Sequence, residues 1–131
     1  MSADNNKKIV NCCPHDVSVF SGSIYDPKTS KSRGGKEILH LPRSGFVASA
    51  RSSVEVMPDM QMNGVSIPTC KRTFASVNDL PGENSMYIVS SVYAQAAKEL
   101  GRDVSNLLTP YGTVINDEGS VIGCTGLIRY A

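Results

Sequence analysis

The sequence predicts an α+β fold, in which a mainly antiparallel β-sheet carries one principal α-helix at about residues 90–100 and a C-terminal β-hairpin. Three observations predict it. Short β-rich runs separated by turn residues fill the chain before residue 86. The segment 86–102 passes from an apolar run into a helix with start and stop signals. Two final apolar runs flank a turn at residues 116–119.

The first third of the chain predicts short strands and a loop. We expect residues 1–6 to form a flexible leader and residues 7–131 to form a single α+β domain. Residues 7–13 and 17–20 read as two strands interrupted at Pro14, which has no amide to donate to a ladder. The polar segment 21–36 contains four basic residues and little that is apolar, so it predicts a flexible basic loop.

The middle of the chain predicts a long strand pair. Residues 37–41 and 46–56 have strand patterns, and Pro58 is expected to end the second of them. Asn63 and Gly64 suit positive φ angles, and β-rich runs flank them on both sides. They therefore predict a hairpin tip, with residues 65–77 as the returning strand.

The predicted helix has clear boundaries. Ser90 or Ser91 supplies an N-cap oxygen, and Gly101 suits the position after the last helical turn, where the backbone adopts a left-handed conformation. Apolar residues at helical spacing form one stripe, namely Val89, Tyr93, Ala96 and Leu100. Residues 102–110 predict a loop, and residues 113–128 predict the C-terminal hairpin.

Composition narrows the classes of function. A net charge of +1 argues against a protein built to hold duplex nucleic acid, but it leaves room for a small anionic ligand. No apolar run approaches the length of a membrane span, and the N-terminus carries no targeting signal. We therefore expect no membrane contact and a location in the cytoplasm of the cell that makes the protein. The four cysteines suit buried apolar positions better than a disulfide framework.

Six residues are candidates for ligand binding. Hydroxyls and free amides at a helix start favour an anion, which points to Ser90 and Ser91, although ordinary capping is the simpler explanation of the two serines. Pro14 restricts the backbone before His15 and so fixes the direction of the His15 imidazole, which either binds the main chain or faces a ligand. Arginines suit phosphate but also commonly lie on solvated faces. The remaining candidates are His15, Arg43, Tyr93 and Arg102.

A metal site and an enzyme are weaker interpretations. Cys12 and Cys13 are adjacent, so on a strand they point to opposite faces, and no second ligand pair completes a metal set. No nucleotide fingerprint or credible catalytic triad is present, and Asp117 and Glu118 read as turn residues. We expect no metal, no cofactor and no catalytic residue.

Three segments resemble a known family. They are residues 11–17 (NCCPHDV), residues 86–91 (MYIVSS) and residues 115–124 (INDEGSVIGC). Together they resemble a family of small bacteriophage and prophage proteins that opens with an Asn-Leu-Thr-Pro-His stretch. This chain departs from that pattern at Cys12 and Cys13. The resemblance implies a phage or prophage origin and carries no settled activity.

Two functions from different classes follow as hypotheses. In the first, a phage-encoded, non-enzymatic protein sequesters a nucleotide-type signal of host defence, and it assembles as a homo-oligomer. In the second, the protein has no small ligand and acts on a protein partner through a sheet edge or the hairpin at residues 113–128. An enzyme that processes nucleotides is the third interpretation.

Overall fold

A computed structural model describes residues 8–82 and 84–130, which form ten strands and one helix. The predicted leader, residues 1–6, lies outside the described residues. The first five strands are β1 (Lys8–Asn11), β2 (Val17–Ser21), β3 (Ile24–Asp26), β4 (Lys31–Arg33) and β5 (Lys36–Leu41). The next three are β6 (Ala50–Met62), β7 (Val65–Val77) and β8 (Ser85–Ile88). The last elements are α1 (Ser91–Glu99), β9 (Leu107–Ile115) and β10 (Val121–Arg129).

Eight of the strands form one sheet, in which six follow the order β1-β8-β9-β10-β2-β5. The pair β3–β4 joins this sheet through β4, which runs parallel to the end of β9. Strands β6 and β7 form a separate two-stranded sheet. The described chain is therefore mostly β with one short helix, as predicted. The large sheet is mixed, because β1, β8 and β9 run parallel to one another.

Strand β8 is buried on both faces, together with the start of β9 and the two cysteines that follow β1. One face carries a helix cluster, made of Cys12, Ala48, Tyr87, Val89, Tyr93, Ala94, Ala97 and Leu107. The other face carries a strand cluster, made of Cys13, Val17, Val19, Met86, Ile88, Leu108 and Cys124. Successive residues alternate between the two clusters, as in any strand. A strand covered on both faces is apolar at every position, which explains the run of residues 86–89.

Helix α1 lies where the sequence predicts it. Ser90 is the N-cap, and its hydroxyl accepts a hydrogen bond of 3.1 Å from the amide of Tyr93. Gly101 has a φ of 74°, which suits the residue after a helix C-terminus. The buried residues of α1 are Tyr93, Ala94, Ala96 and Ala97. No helix in the described chain is long and apolar enough to cross a membrane.

The hairpin β6–β7 is longer than the sequence suggests. Asn63 and Gly64 form its tip with φ angles of 51° and 77°, as predicted. The prediction that Pro58 ends the strand is wrong. Strand β6 continues through this proline to Met62, with a register shift between Met57 and Met60. A bulge is one of the places where a strand tolerates proline, because a ladder hydrogen bond is missing there.

Two predicted loops contain strands. The segment 21–36 holds β3 and β4, and Ser32 is buried because β4 pairs with β9. The loop expected at residues 102–110 ends early, since β9 begins at Leu107. The C-terminal hairpin itself is confirmed as β9–β10. At its turn, the Asn116 side chain accepts hydrogen bonds of 3.0 Å from the amides of Glu118 and Ser120.

Candidate functional site

The predicted anion site at the helix start does not assemble as a group. The Ser90 hydroxyl is engaged in capping, and Ser91 is exposed on the first turn. Arg102 lies beyond the other end of the nine-residue helix, about 14 Å along its axis. Its guanidinium forms an ion pair with Asp79, which follows β7. Arg102 is therefore too far along the helix to share a small ligand with the two serines.

Tyr93, another predicted ligand residue, is part of the core. Its side chain is 3% exposed, and its hydroxyl donates a hydrogen bond of 2.6 Å to the carbonyl oxygen of Asn78. Burial raises the pKa of this hydroxyl, and the nearby Arg102 partly opposes that shift. Tyr93 packs within the helix cluster. Because the Tyr93 side chain is buried and its hydroxyl already donates a hydrogen bond, its contact with a ligand stays a prediction that this position does not favour.

The other two predicted residues, His15 and Arg43, meet around Asp16. His15 Nδ1 lies 2.9 Å from the carbonyl oxygen of Asp16. The Arg43 amide donates a hydrogen bond of 3.0 Å to the Asp16 carboxylate. His15 and Asp16 lie on a turn that is fixed by Asn11, whose side-chain amide donates to the carbonyl oxygens of His15 and Leu41, the last residue of β5 before Arg43. This turn links the end of β1 to the start of β2.

A cavity of about 450 Å³ opens beside this turn. One wall is formed by residues 15–18, and the opposite walls by residues 110–113 of β9 and 121–124 of β10. Strand β2 pairs with β10 at a single position, where Val19 lies opposite Cys124. The ladder between these strands has no second pair in the described chain, although the Cys124 thiol also donates a hydrogen bond of 3.4 Å to the carbonyl oxygen of Ser18. The cavity lies at this interruption of the sheet.

The cavity walls combine one aromatic ring with several polar groups. Tyr111 is half exposed, and its ring contacts Gly126 of β10. A Cβ atom at Gly126 would lie 2.5 Å from that ring, so glycine is required there for the tyrosine to lie against the sheet. The polar residues of the lining include His15, Asp16, Ser18 and Thr113. Among the described lining residues there is no lysine or arginine.

A hydrogen-bond cluster adjoins the cavity through Ser18. The Ser18 hydroxyl lies 2.8 Å from Nδ1 of His40, which is opposite it on β5. His40 Nε2 lies 3.5 Å from the Asp16 carboxylate, and its Nδ1 lies 3.2 Å from that of Glu37. The side chains of His40, Asp16 and Glu37 are about half exposed, and Ser18 is partly buried. Contact with water weakens the electrostatic interactions within such a cluster.

The cysteines do not contribute to the site as a metal set. Cys12 and Cys13 lie in the two different clusters, and both thiols are buried. Burial is the main reason that the pKa of Cys13 is raised to about 11. In the described residues, no group of three or more His, Cys, Asp or Glu side chains has an arrangement that could hold a metal ion.

Comparison with known proteins gives no relative. No protein-family model, curated protein or solved structure matches this chain. Its chemistry must therefore be inferred from its own residues.

Several cavity residues were not singled out from the sequence. Tyr111 stands in a stretch assigned to a loop boundary, and Asp16, Ser18 and Thr113 look like ordinary strand and turn residues. One signal was present, because Gly126 interrupts an apolar strand pattern, and an isolated glycine in a strand often marks close approach of another group. The partner of that glycine depends on the register of β9 and β10, which the sequence alone leaves open.

Proposed function

We propose that this chain is a non-enzymatic binding protein that holds a small nucleotide-type ligand in the cavity between β2 and the β9–β10 hairpin. The observation that carries the proposal is that one cavity is lined by a half-exposed tyrosine and by several polar residues. Pockets for small ligands are typically of this size and contain a few placed polar groups. A pocket of about 450 Å³ has room for a nucleoside.

Each part of such a ligand has a partner. A base stacks on Tyr111, whose other side is supported by Gly126. The Asp16 carboxylate accepts a hydrogen bond from an exocyclic amine or a ribose hydroxyl. Because the lining has no lysine or arginine, the phosphate lies at the mouth of the cavity, near His15 and the side chain of Arg43. The Arg43 amide already binds Asp16, so its guanidinium is within one side-chain length of this wall.

The role that best fits this site is sequestration. A protein that holds a nucleotide signal without changing it needs a fitted pocket and no activated nucleophile, and the half-exposed His40 is poorly placed to activate Ser18 as one. The resemblance to small phage proteins suggests the biological setting, in which a phage protein withdraws a signal used by host defence. The host cytoplasm would be the place of action.

The test is binding without conversion. The protein is incubated with a panel of purified nucleotides, including a mononucleotide, a cyclic dinucleotide and an adenosine diphosphate ribose, and then examined by native mass spectrometry. We expect one of them to bind and to be released at its original mass after denaturation. A ligand whose mass changes with time would identify an enzyme instead.

Variants locate the site. Tyr111→Ala and Asp16→Asn should each weaken binding at least about tenfold, since each removes a principal ligand contact. Tyr25→Ala is the matched control, because Tyr25 is also an exposed tyrosine and lies on β3 outside the cavity lining. If binding survives in Tyr111→Ala and fails in Ser90→Ala, the ligand lies at the helix start and the cavity assignment is wrong.

A second function, recognition of a protein partner, is favoured by a different feature. The C-terminal hairpin is poorly placed for this role, because β9 and β10 both pair with further strands of the large sheet. The hairpin β6–β7 pairs with no other strand in the described chain and exposes large apolar side chains. If every nucleotide in the panel fails to bind, this hairpin becomes the functional surface.

A further inference from the structure

The hairpin β6–β7 extends from the rest of the chain as an arm. Each strand has thirteen residues, which corresponds to about 44 Å. Every residue from 51 to 68 is exposed, whereas Val77 at the base packs against the helix cluster. A two-stranded hairpin alone in water is marginally stable at best. An arm of this length therefore gains stability if something covers one of its faces.

One face of the arm is apolar over its outer half. Met62 lies opposite Val65, Met60 opposite Ile67, and Met57 opposite Thr69. Residues that pair across two strands share a face, and alternate residues of one strand do so too. The arm patch is defined by the exposed apolar side chains of this face, which are Met57, Met60, Met62, Val65 and Ile67.

The opposite face is polar at the same level. There the Ser66 hydroxyl donates a 2.7 Å hydrogen bond to Asp59 and accepts one of 3.0 Å from Gln61. The two edges carry Pro58 and Pro68, which cannot donate to an added strand. Pairing along an edge is thus disfavoured at this level, and the patch is best covered by packing against its face.

A charged pair borders the arm patch. Glu55 lies opposite Lys71 on the same face, one step along the ladder from Met57 and Thr69. Neither side chain takes part in an ion pair within the described chain. The patch therefore ends in one free positive and one free negative group, side by side.

We propose that the arm patch is a dimer interface, covered by the same patch of a second copy of this chain. A twofold axis that runs along the hairpin, between two stacked faces, places β6 of one copy over β7 of the other. The register then sets Met60 over Ile67 of the partner subunit. It also sets Glu55 against the partner's Lys71, and Lys71 against the partner's Glu55.

The arm patch of a second copy is complementary to this face in both its apolar and its charged groups, which an unrelated charged surface is not. The arrangement pairs apolar with apolar and opposite with opposite charge, using one surface twice. Methionine side chains adapt to an irregular facing surface, which suits a flat ribbon that must pack against itself. The net charge of +1 generates no strong repulsion between copies.

Charge reversal tests the proposed contact. Wild-type protein should form dimers in sedimentation equilibrium, and Met60→Asp should make it monomeric. Glu55→Lys and Lys71→Glu should each weaken the dimer about tenfold, because both twofold-related pairs become repulsive. Val56→Lys is the control, since Val56 is 86% exposed and lies on the opposite face. It should leave the dimer intact.

Mixing the two charge variants separates contacts between chains from contacts within one. In each single variant, residues 55 and 71 of one chain have like charges, and mixing does not change this. Between chains, however, two lysines of one variant face two glutamates of the other. A tagged Glu55→Lys chain mixed with Lys71→Glu should therefore form heterodimers about tenfold more tightly than either variant forms homodimers.

Three results would overturn the proposal. They are a wild-type protein that is monomeric throughout the concentration series, a dimer that survives Met60→Asp, and a mixture of charge variants that stays monomeric. Circular dichroism of each variant must match that of the wild type, which we expect because every substituted position is exposed. Dimerisation is measured in the absence of any ligand. A failure of the dimer proposal can therefore be told apart from a failure of nucleotide binding.

Discussion

The hydroxyl of Tyr93 donates a 2.6 Å hydrogen bond to the carbonyl oxygen of Asn78, which joins α1 to the residue that follows β7. Asn78 also holds the other side of the hairpin base. Its side-chain amide donates a hydrogen bond of 2.9 Å to the carbonyl oxygen of Val47. Its side-chain oxygen accepts one of 2.8 Å from the backbone amide of Ser49. One asparagine therefore connects the helix, the hairpin and the segment before β6.

Tyr93→Phe should lower the free energy of unfolding by about 1 kcal/mol. The substitution keeps the ring in the core and leaves the Asn78 carbonyl without its hydroxyl donor. Urea unfolding measures this change. Tyr111→Phe is the control, because the Tyr111 side chain is half exposed and its hydroxyl has no hydrogen bond with another described residue. The stability of this variant should stay within about 0.5 kcal/mol of the wild type. Nucleotide binding by Tyr93→Phe should be unchanged, and a loss of binding without a loss of stability would return Tyr93 to the ligand site.

Ser90→Ala should destabilise the protein by about 1 kcal/mol, whereas Ser91→Ala should have almost no effect. Only Ser90 accepts the amide of Tyr93, and an N-cap of this kind typically contributes about that much. Thermal unfolding of the two variants gives the comparison. If Ser91→Ala were the more damaging, or if either variant lost nucleotide binding while keeping its stability, the helix start would have a role beyond capping.

The fold could be predicted where local chemistry decides it. The helix limits follow from Ser90 and Gly101, and the hairpin tip follows from Asn63 and Gly64, because capping and positive φ are local properties. The strands hidden in predicted loops depend on distant partners. Ser32 is buried only because β4 pairs with β9, about eighty residues later, and no local pattern shows this.

The site was predicted only in part, for a related reason. His15 and Arg43 do come together, because Asp16 holds both of them. The helix-start residues seemed suitable by type, yet the nine-residue helix separates Arg102 from the serines. Tyr111 was missed because its role depends on Gly126, which lies opposite it only through the register of the hairpin. Residue type indicates what a side chain can bind, whereas register decides which side chains meet.

Gly123→Ala should destabilise the protein by about 1–3 kcal/mol and weaken nucleotide binding. A Cβ atom there would lie 2.5 Å from the ring of Phe20 and 2.6 Å from the carbonyl oxygen of Ser18, so β2 must move away from β10. The start of β2 forms one wall of the cavity, and its displacement should alter the site. Urea unfolding and nucleotide titration of the same preparation measure both effects.

Gly119→Asn provides the comparison for that variant. Gly119 has a φ of 82°, and nothing lies within 4 Å of a Cβ atom built there. Asparagine tolerates this region better than other residues with side chains, so the cost should stay below about 1 kcal/mol. Equal losses in the two variants would mean that backbone flexibility, rather than the approach of β2, is the reason for glycine at position 123.

Cys13 should make stability depend on alkaline pH. Burial, with a smaller contribution from Cys12, raises the pKa of its thiol from 9.0 to about 11. Between these two values the unfolded chain has lost the proton and the folded chain keeps it, so the free energy of unfolding falls as the pH rises. Below about pH 9 both states are protonated, and the contribution is fully present.

The comparison with Cys13→Ala isolates this effect, because all other groups titrate in both proteins. Unfolding in urea is measured at several pH values from below 9 to above 11, which brackets the two pKa values of the thiol. The stability difference between wild type and Cys13→Ala should be constant at the lower values and shrink as the pH approaches 11. A difference that stays constant throughout would show that the thiol is solvated in the folded protein, and that Cys13 does not lie in the strand cluster.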